Sequence, residues 1–177
     1  DRAIHVVTDT YFVDGLQAGR LLGMAIESDG APDLILTGKQ SVDTEGMQIP
    51  YRLGAYFDMP VAVNVTAFSM ADRRVTVERE IEGDVREVIA MPMPCIIGAS
   101  RGLIRTRCPT LPDMMKAKKK EIRTIPAADL ISSPPGAPAE ILGLQPVPDR
   151  SPASMLAGSP EEMAAELVSI LKINKIL

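Results

Sequence analysis

Segments typical of strands and of helices alternate over the first 65 residues, and this order limits the folds open to the chain. Strands are predicted at 3–7, 34–37 and 61–65, with a helix opened by Asp14-Gly15 and a second helix at 49–57 between them. Leu16, Leu22 and Ile26 form the predicted apolar face of the first helix. The apolar run at 34–37 is continuous, which predicts a strand buried on both faces. The order indicates an α/β sheet with right-handed crossovers.

The second half of the chain has a different pattern of predicted elements. Partial alternation at 74–81, a turn at 82–84 and a returning strand at 85–90 predict a β-hairpin, and a buried strand follows at 94–99. The segment 126–159 is rich in Pro, Ala, Gly and Ser, which predicts an extended arm. Ser159, Pro160 and Glu162 mark the capped start of a final helix. We therefore expect an α/β nucleotide-binding domain over 1–125 and an arm with a helix over 126–177.

Composition excludes several classes of function. The chain of 177 residues has a net charge of −4, 3% aromatic residues and no Trp. This balance argues against binding of nucleic acid or of an anionic membrane. With a single histidine, His5, and two cysteines in no metal-binding pattern, neither a metal site nor a Ser-His-Asp triad has candidates. No apolar run approaches the ~18 residues of a membrane span, so we expect no direct membrane insertion.

A polar loop at 38–50 follows a predicted strand and leads into a helix, where ligands bind in open α/β sheets. Gly38 lets the backbone approach a ligand, and Ser41, Asp43 and Gln48 offer hydrogen-bonding groups to ribose or phosphate. The loop is not a Walker motif, because Gln40 stands where that motif has Ser or Thr. The chemistry of these residues leaves two interpretations, a nucleotide site or an ordinary polar loop.

Two charged segments follow. The Glu and Arg residues at 77–87 are interpreted first as a solvated hairpin face with cross-strand ion pairs. Thr110 caps a predicted helix start, and four lysines come after it: Lys116, Lys118, Lys119 and Lys120. Lysines of this kind are interpreted first as a solvated face and second as a weak nucleic-acid-binding surface, which the acidic total and the scarcity of aromatic residues disfavour. Leucine is commonly buried, so a core position is one interpretation of Leu111.

In this order and at this spacing, the two charged segments resemble those of the β subunits of electron transfer flavoproteins. The hairpin matches Val-x-Arg-x-x-Glu-Gly-Asp at 77–84 and is followed by Glu87, Ile89 and Pro94, with a departure at Gly98. The resemblance covers nearly the whole chain and lacks the first third of a typical β subunit. It implies a doubly wound, mostly parallel α/β sheet of the adenine-nucleotide-hydrolase-like kind, with a hairpin insertion. A C-terminal arm ending in a helix would contact the α subunit.

The resemblance also implies roles for particular residues. The loop that wraps an adenine nucleotide in that family matches seven residues here: Gly38, Lys39, Gln40, Ser41, Val42, Asp43 and Gln48. The neighbours of Gln48 depart from the family pattern, with Met47 before it and Ile49 and Pro50 after it. Leu111 matches the anchoring leucine of the family's recognition loop. The lysines after Leu111 belong to the same docking segment.

The implied function is electron transfer, with no catalytic residue in this chain. The resemblance implies a heterodimer that shares one FAD with the α subunit and binds AMP structurally. It would take electrons from flavoprotein dehydrogenases, such as acyl-CoA dehydrogenases of fatty acid oxidation, and pass them to a membrane quinone oxidoreductase. Alternatives are a bifurcating enzyme with a second FAD that oxidises NADH, a stand-alone adenine-nucleotide module like the stress proteins, and a nucleotide hydrolase. We expect a cytoplasmic location in a bacterium or the mitochondrial matrix in a eukaryote.

Overall fold

The computed structural model describes residues 2–9, 13–42, 44–83, 85–131, 142–149 and 152–176. The chain divides into two compact units, Asp1–Glu140 and Ile141–Leu177. The described strands are β1 (Ala3–Val7), β2 (Leu34–Gly38), β3 (Val61–Ala71), β4 (Arg74–Glu80), β5 (Arg86–Pro92), β6 (Cys95–Ala99) and β7 (Ile122–Pro126). The described helices are α1 (Gly15–Glu27), α2 (Ile49–Phe57), α3 (Leu111–Ala117), α4 (Ala127–Leu130) and α5 (Pro160–Ile173). The predicted α/β fold with a mostly parallel sheet is confirmed.

Five strands form one sheet in the order β2-β6-β3-β4-β5. Strand β6 lies between β2 and β3 and runs parallel to both, while β4 and β5 extend the sheet in antiparallel fashion. Strands β1 and β7 form a separate parallel pair. Because β2 and β6 are parallel neighbours, the loops that follow them leave the sheet at the same edge.

Strand β6 supplies the apolar centre of the first unit. Cys95, Ile96 and Ile97 are fully buried, as the sequence predicts. Successive side chains of a strand point to opposite faces, and β6 therefore contributes to two clusters. Ile97 packs on one face with buried residues of β3, β4 and β5. Ile96 packs on the other face with Ile35 of β2 and Leu53 of α2.

Helix α1 has the predicted position, but it packs through smaller residues than predicted. Its buried residues are Gly19, Leu21, Gly23 and Ala25. Leu22, predicted on the apolar face, is exposed. A Cβ on Gly19 would lie 2.5 Å from Cβ of Arg52, and one on Gly23 would lie 2.8 Å from the ring of Tyr56. The two glycines therefore allow α1 to approach α2 more closely than larger residues would permit.

Strand β2 is not buried on both faces, which corrects the prediction. Ile35 is buried, whereas its neighbour Leu36 is 58% exposed. The reason is its place in the sheet: within the described part of the chain, β2 is an edge strand that pairs only with β6. A continuous apolar run indicates burial only where neighbours cover both faces, and the run itself cannot specify those neighbours.

The predicted hairpin is confirmed by the antiparallel pairing of β4 with β5. Strand β3 is longer than predicted and pairs with β4, which joins the hairpin to the main sheet. Arg79 Nε lies 2.6 Å from Glu87 Oε2, and Arg86 Nη1 lies 4.0 Å from Glu78 Oε2, so the predicted cross-strand ion pairs are present. These pairs are partly exposed, and each contributes at most about 1 kcal/mol.

Two elements at the end of the first unit were not predicted. Strand β7 pairs with β1 in parallel, with Val6 opposite the buried Ile125. Helix α4 lies within 126–159, so this part of the predicted arm is helical rather than extended. Of the remaining arm, 132–141 and 150–151 lie outside the described residues. Residues 142–149 and 152–158 contain neither helix nor strand.

The second unit contains α5, whose predicted capping box is confirmed. Ser159 N donates to Glu162 Oε2 at 2.8 Å, and Glu162 N donates to Ser159 Oγ at 3.3 Å. Hydrogen bonds from the backbone N–H and then the side chain of Ser159 hold the pKa of the Glu162 carboxyl below its ordinary value. No residue of α5 is buried, and its apolar residues Leu167 and Ile170 are exposed. Among the described helices, none has the length and apolar character needed to cross a membrane.

Gly54 of α2 gives a direct test of the packing between helix and sheet. A Cβ at this position would overlap Cγ2 of Val61 and lie 3.2 Å from the main-chain oxygen of Met59. Gly→Ala in a helix interior ordinarily stabilises a protein by up to ~1 kcal/mol. Here we expect Gly54→Ala to lower the free energy of unfolding by about 1–3 kcal/mol, because the added methyl overpacks the contact. Equilibrium denaturation in urea measures the change.

The control is Gly143→Ala, because within the part of the chain that the structure describes no heavy atom beyond its chain neighbours lies within 4 Å of a Cβ built on Gly143. The urea midpoint of Gly143→Ala should stay near that of the wild type. A Gly54→Ala variant as stable as the wild type would show that this helix is not packed against β3 as described.

Candidate functional site

The loop between β2 and α2 lies at the carboxyl end of the parallel strands. It begins at Gly38, the last residue of β2, and ends at Gln48, which precedes α2. Apart from its two chain neighbours, no heavy atom of the described residues lies within 4 Å of a Cβ built on Gly38. A ligand can therefore approach the backbone here without obstruction.

Short-range contacts define the shape of the loop. The hydroxyl oxygens of Ser41 and Thr44 lie 2.9 Å apart and share a hydrogen bond. Glu45 and Met47 have φ values of 49° and 50°, in the left-handed region. Val42 is 96% exposed. The loop thus carries an exposed turn, followed by a backbone that bends sharply before the helix begins.

Helix α2 begins without a side-chain cap: the side chain of Gln48, its N-cap residue, accepts no hydrogen bond from the first turn, and Pro50 in that turn has no N–H to donate. As in any helix, the other N–H groups of the first turn have no intrahelical partner, and together with the helix dipole they favour an anion. The binding of a phosphate by this loop stays a prediction. The described residues include no group of three or more His, Cys, Asp or Glu placed to hold a metal ion.

The start of α1 lies against Gln48, a contact that the sequence did not reveal. Gln48 Oε1 accepts a hydrogen bond from Arg52 Nη2 at 3.2 Å, and a Cβ on Gly15 would lie 2.9 Å from the same oxygen. Asp14 caps α1 by accepting from Leu16 N at 2.7 Å. The sequence identified Asp14 and Gly15 only as a helix start, because contacts between distant segments leave no local signal.

Three buried oxygen atoms lack a hydrogen-bond partner among the described residues: Asp14 Oδ2, Thr37 Oγ1 and Asn64 Oδ1. Thr37 immediately precedes Gly38, Asp14 caps the helix that contacts Gln48, and Asn64 lies in a β-bulge of β3 with φ 60°. Unpartnered buried polar atoms are rare in native proteins. Their occurrence at this end of the sheet makes it a polar region, which fits a nucleotide better than an apolar ligand.

The predicted nucleotide residues lie in the loop between β2 and α2. Gly38, Lys39, Gln40, Ser41 and Val42 form one continuous stretch, and Gln48 closes the loop against α1. Asp43 lies outside the described residues. Their role in binding a nucleotide stays a prediction, now with a defined location at the carboxyl edge of β2.

The predicted docking residues lie on and after α3. Leu111 is 69% exposed, so it is not a core residue of this unit, and Met114 and Met115 on the same short helix are also exposed. Their i, i+3 and i+4 spacing places these three side chains on one helical face. The four lysines are exposed as well. The docking role of this surface stays a prediction.

A capping box fixes the start of α3. Thr110 N donates to Asp113 Oδ2 at 3.2 Å, the Thr110 hydroxyl lies 2.7 Å from the same oxygen, and Asp113 N donates to Thr110 Oγ1 at 3.4 Å. The hydrogen bonds from the Thr110 side chain and backbone hold the pKa of the Asp113 carboxyl below its ordinary value. The cap therefore places Leu111 at a defined position at the start of the helix.

Comparisons with known proteins bear on this arrangement. The sequence profile of the electron transfer flavoprotein domain matches residues 1–130. The electron transfer flavoprotein subunit beta of Bacillus subtilis is 34% identical over an alignment of 142 residues that covers 79% of this chain and 55% of that protein. The mouse protein of the same name is 30% identical over an alignment of 179 residues, gaps included, that covers 98% of this chain and 68% of that protein. This chain belongs to the electron transfer flavoprotein family.

Its relatives within the family are β subunits, which confirms the resemblance found in the sequence. The Sus scrofa β subunit is 34% identical over an alignment of 133 residues that covers 73% of this chain and 51% of that protein. The chain therefore spans about half the length of the β subunits it matches in Bacillus subtilis and Sus scrofa. The match to the mouse β subunit covers nearly all of this chain, including the second unit.

The α3 capping box gives a prediction about pH. Because the folded pKa of Asp113 is below its ordinary value of 3.8, its carboxylate stabilises α3 above that pH. This stabilisation is lost as the pH falls through the lowered folded value. Thr110→Ala removes the side-chain hydrogen bonds, and we expect the pKa of Asp113 to rise toward 3.8. An NMR titration of the Asp113 side-chain carboxyl carbon measures the shift.

Glu162 is the internal control, because its pKa is lowered by Ser159 in the other capping box. Its titration should be the same in the wild type and in Thr110→Ala. If Asp113 titrates identically in both proteins, the described cap does not hold in solution.

Proposed function

We propose that this chain acts as the β subunit of a heterodimeric electron transfer flavoprotein. In this role it shuttles electrons from flavoprotein dehydrogenases, such as acyl-CoA dehydrogenases, to a membrane quinone oxidoreductase. The observation that carries the proposal is membership of the β-subunit family together with an open polar loop at the carboxyl edge of the parallel strands. Neither feature requires a catalytic residue in this chain.

The loop at 38–48 would bind AMP as a structural ligand. Three observations support this assignment: the open approach to Gly38, the uncapped start of α2, and the hydroxyl groups of Ser41 and Thr44 at the turn. Backbone N–H groups at a helix start favour a phosphate, and hydroxyl groups suit ribose. Gln48 closes the site at the start of α2.

The electron-carrying flavin would be an FAD that this chain shares with an α subunit. When bound, FAD supplies the one-electron and two-electron chemistry of the carrier. The contribution of this chain would be to orient the flavin and to surround it with fixed dipoles and charges. The second unit supports the partnership, because the apolar side chains of α5, including Leu167 and Ile173, are exposed within this chain.

The exposed face of α3 would dock onto the dehydrogenases. Leu111 supplies an apolar side chain that can fill a pocket, and lysines supply positive charge that speeds encounter with an acidic partner. The capping box makes this face rigid, which reduces the entropy lost on binding.

Expression together with an α subunit tests the proposal. We expect a yellow heterodimer with a flavin absorbance spectrum that is bleached by a reduced acyl-CoA dehydrogenase. A bifurcating enzyme would instead contain two FAD molecules and be reduced by NADH. A colourless monomer that does not bind the α subunit would refute the carrier proposal and favour a stand-alone nucleotide-binding module.

Gly38→Val tests the assignment of the loop. Its Cβ position is open, so the larger side chain should leave the melting temperature of the heterodimer unchanged while it blocks the approach of a ligand. We expect the affinity for AMP to fall by at least about tenfold, equivalent to ~1.4 kcal/mol. Isothermal titration calorimetry measures the binding.

The matched control is Gly143→Val, where a Cβ is equally unobstructed but no part of the proposed site is nearby in sequence. It should bind AMP as the wild type does. Unchanged AMP affinity in Gly38→Val would show that the loop is not part of the nucleotide site.

Leu111→Ala tests the docking surface. Because Leu111 is exposed, the substitution should not change the melting temperature. We expect kcat/KM for electron transfer from an acyl-CoA dehydrogenase to fall by about tenfold or more, as for the loss of a buried interface anchor. Stopped-flow reduction of the heterodimer flavin measures the rate.

Val88→Ala is the control, since Val88 is an exposed aliphatic residue on the hairpin and outside the proposed docking surface. It should react at the wild-type rate. A Leu111→Ala protein that accepts electrons as fast as the wild type would exclude Leu111 as an anchor.

A further inference from the structure

The loop proposed to bind the nucleotide lacks the positive charge that a phosphate needs. Between Gly38 and Gln48 it carries one cation, Lys39, and two acidic residues, Asp43 and Glu45. A phosphate monoester such as AMP carries close to two negative charges at neutral pH. Cations from another segment would add to the N–H groups of α2 in holding a phosphate at this edge of the sheet.

The segment that follows β6 is placed to supply them. Gly38 of β2 pairs with Ala99 of β6 in parallel register, so the two strands end side by side. Lys39 follows Gly38 directly, and Arg101 lies two residues after Ala99. A cation therefore follows closely after the end of each of these two neighbouring strands.

Local contacts keep Arg101 at the strand end. Ser100 N donates to the main-chain oxygen of Val65 at 2.9 Å, which extends the pairing one residue past β6. Gly102 has φ 92°, a turn conformation that favours glycine, and Leu103 packs against the first apolar cluster. Arg101 therefore lies between two fixed points of the backbone, while its own side chain is exposed.

The guanidinium group of Arg101 is also available. The ion pairs formed by arginines in the described residues involve Arg2, Arg73, Arg79 and Arg86, and none involves Arg101. Residues 100–120 hold seven of the 19 Lys and Arg residues but one of the 23 Asp and Glu residues. That acid, Asp113, is engaged in its capping box. An arginine without an acidic neighbour can bind phosphate in bidentate fashion.

We propose that Arg101 binds the phosphate group of the adenine nucleotide, together with Lys39 from the adjacent strand end. This inference rests on the proposed nucleotide site and adds a residue from outside its loop. Arg101 acts as a binding residue with no part in electron transfer.

The test compares AMP with adenosine, because the two ligands differ only in the phosphate. Binding of each to the heterodimer, first depleted of nucleotide, is measured by calorimetry for the wild type, Arg101→Gln and Arg107→Gln. We expect Arg101→Gln to weaken AMP binding by about tenfold or more and to leave adenosine binding unchanged, as for loss of a charged hydrogen bond. Arg107→Gln removes the same charge from the same segment, farther from the strand end, and should retain the wild-type preference for AMP.

Several results would overturn the inference. If the wild type prefers AMP and Arg101→Gln keeps the same preference, the phosphate is bound without Arg101 and the loop assignment stands. Equal losses of AMP affinity in Arg101→Gln and Arg107→Gln would indicate a general effect of positive charge, without a contact between Arg101 and the phosphate. If the wild type binds neither AMP nor adenosine, the nucleotide site itself is refuted along with the role of Arg101. Arg101→Lys should recover part of the affinity, since lysine keeps the charge without the bidentate geometry.

Discussion

The burial of β6 between two parallel neighbours is the constraint on which the rest of the first unit depends. Both of its faces are covered, with Ile97 in one apolar cluster and Ile96 in the other. Parallel pairing on either side then fixes where the adjoining strands end. Because Gly38 and Ala99 are partners in register, the loop at 38–48 and the segment after β6 begin together at one edge. The candidate site is a consequence of this pairing.

Close packing beside β6 has a second consequence. Strand β3 pairs in parallel with β6 through its first part and antiparallel with β4 through its second part, and a bulge lies between Ala62 and Val65. A Cβ on Gly98 would lie 2.8 Å from Cγ1 of Val63, so glycine is the residue that this contact accepts. The departure from the family pattern at Gly98 thus has a packing explanation. The bulge also accounts for the left-handed backbone of Asn64.

Elements with local signals were predictable from the sequence. The caps at Asp14, Thr110 and Ser159 mark true helix starts, and alternation in the hairpin gives β4 and β5. Features set by distant segments were not predictable. The pairing of β7 with β1, the exposure of Leu36 at the sheet edge and the contact of Gly15 with Gln48 depend on tertiary neighbours. The loop was identified from its sequence, whereas the residues of other segments that lie beside it could be identified only from the fold.

The central claim is that an adenine nucleotide binds at the carboxyl edge of β2 and β6. Photolabelling of the heterodimer with 8-azido-AMP, followed by peptide mass spectrometry, tests that location directly. The account predicts labelled peptides from 37–49 or 99–110, and protection of those peptides by excess AMP. Labelling confined to the hairpin at 74–92 or to α5, with the same protection by AMP, would place the nucleotide elsewhere and contradict the account.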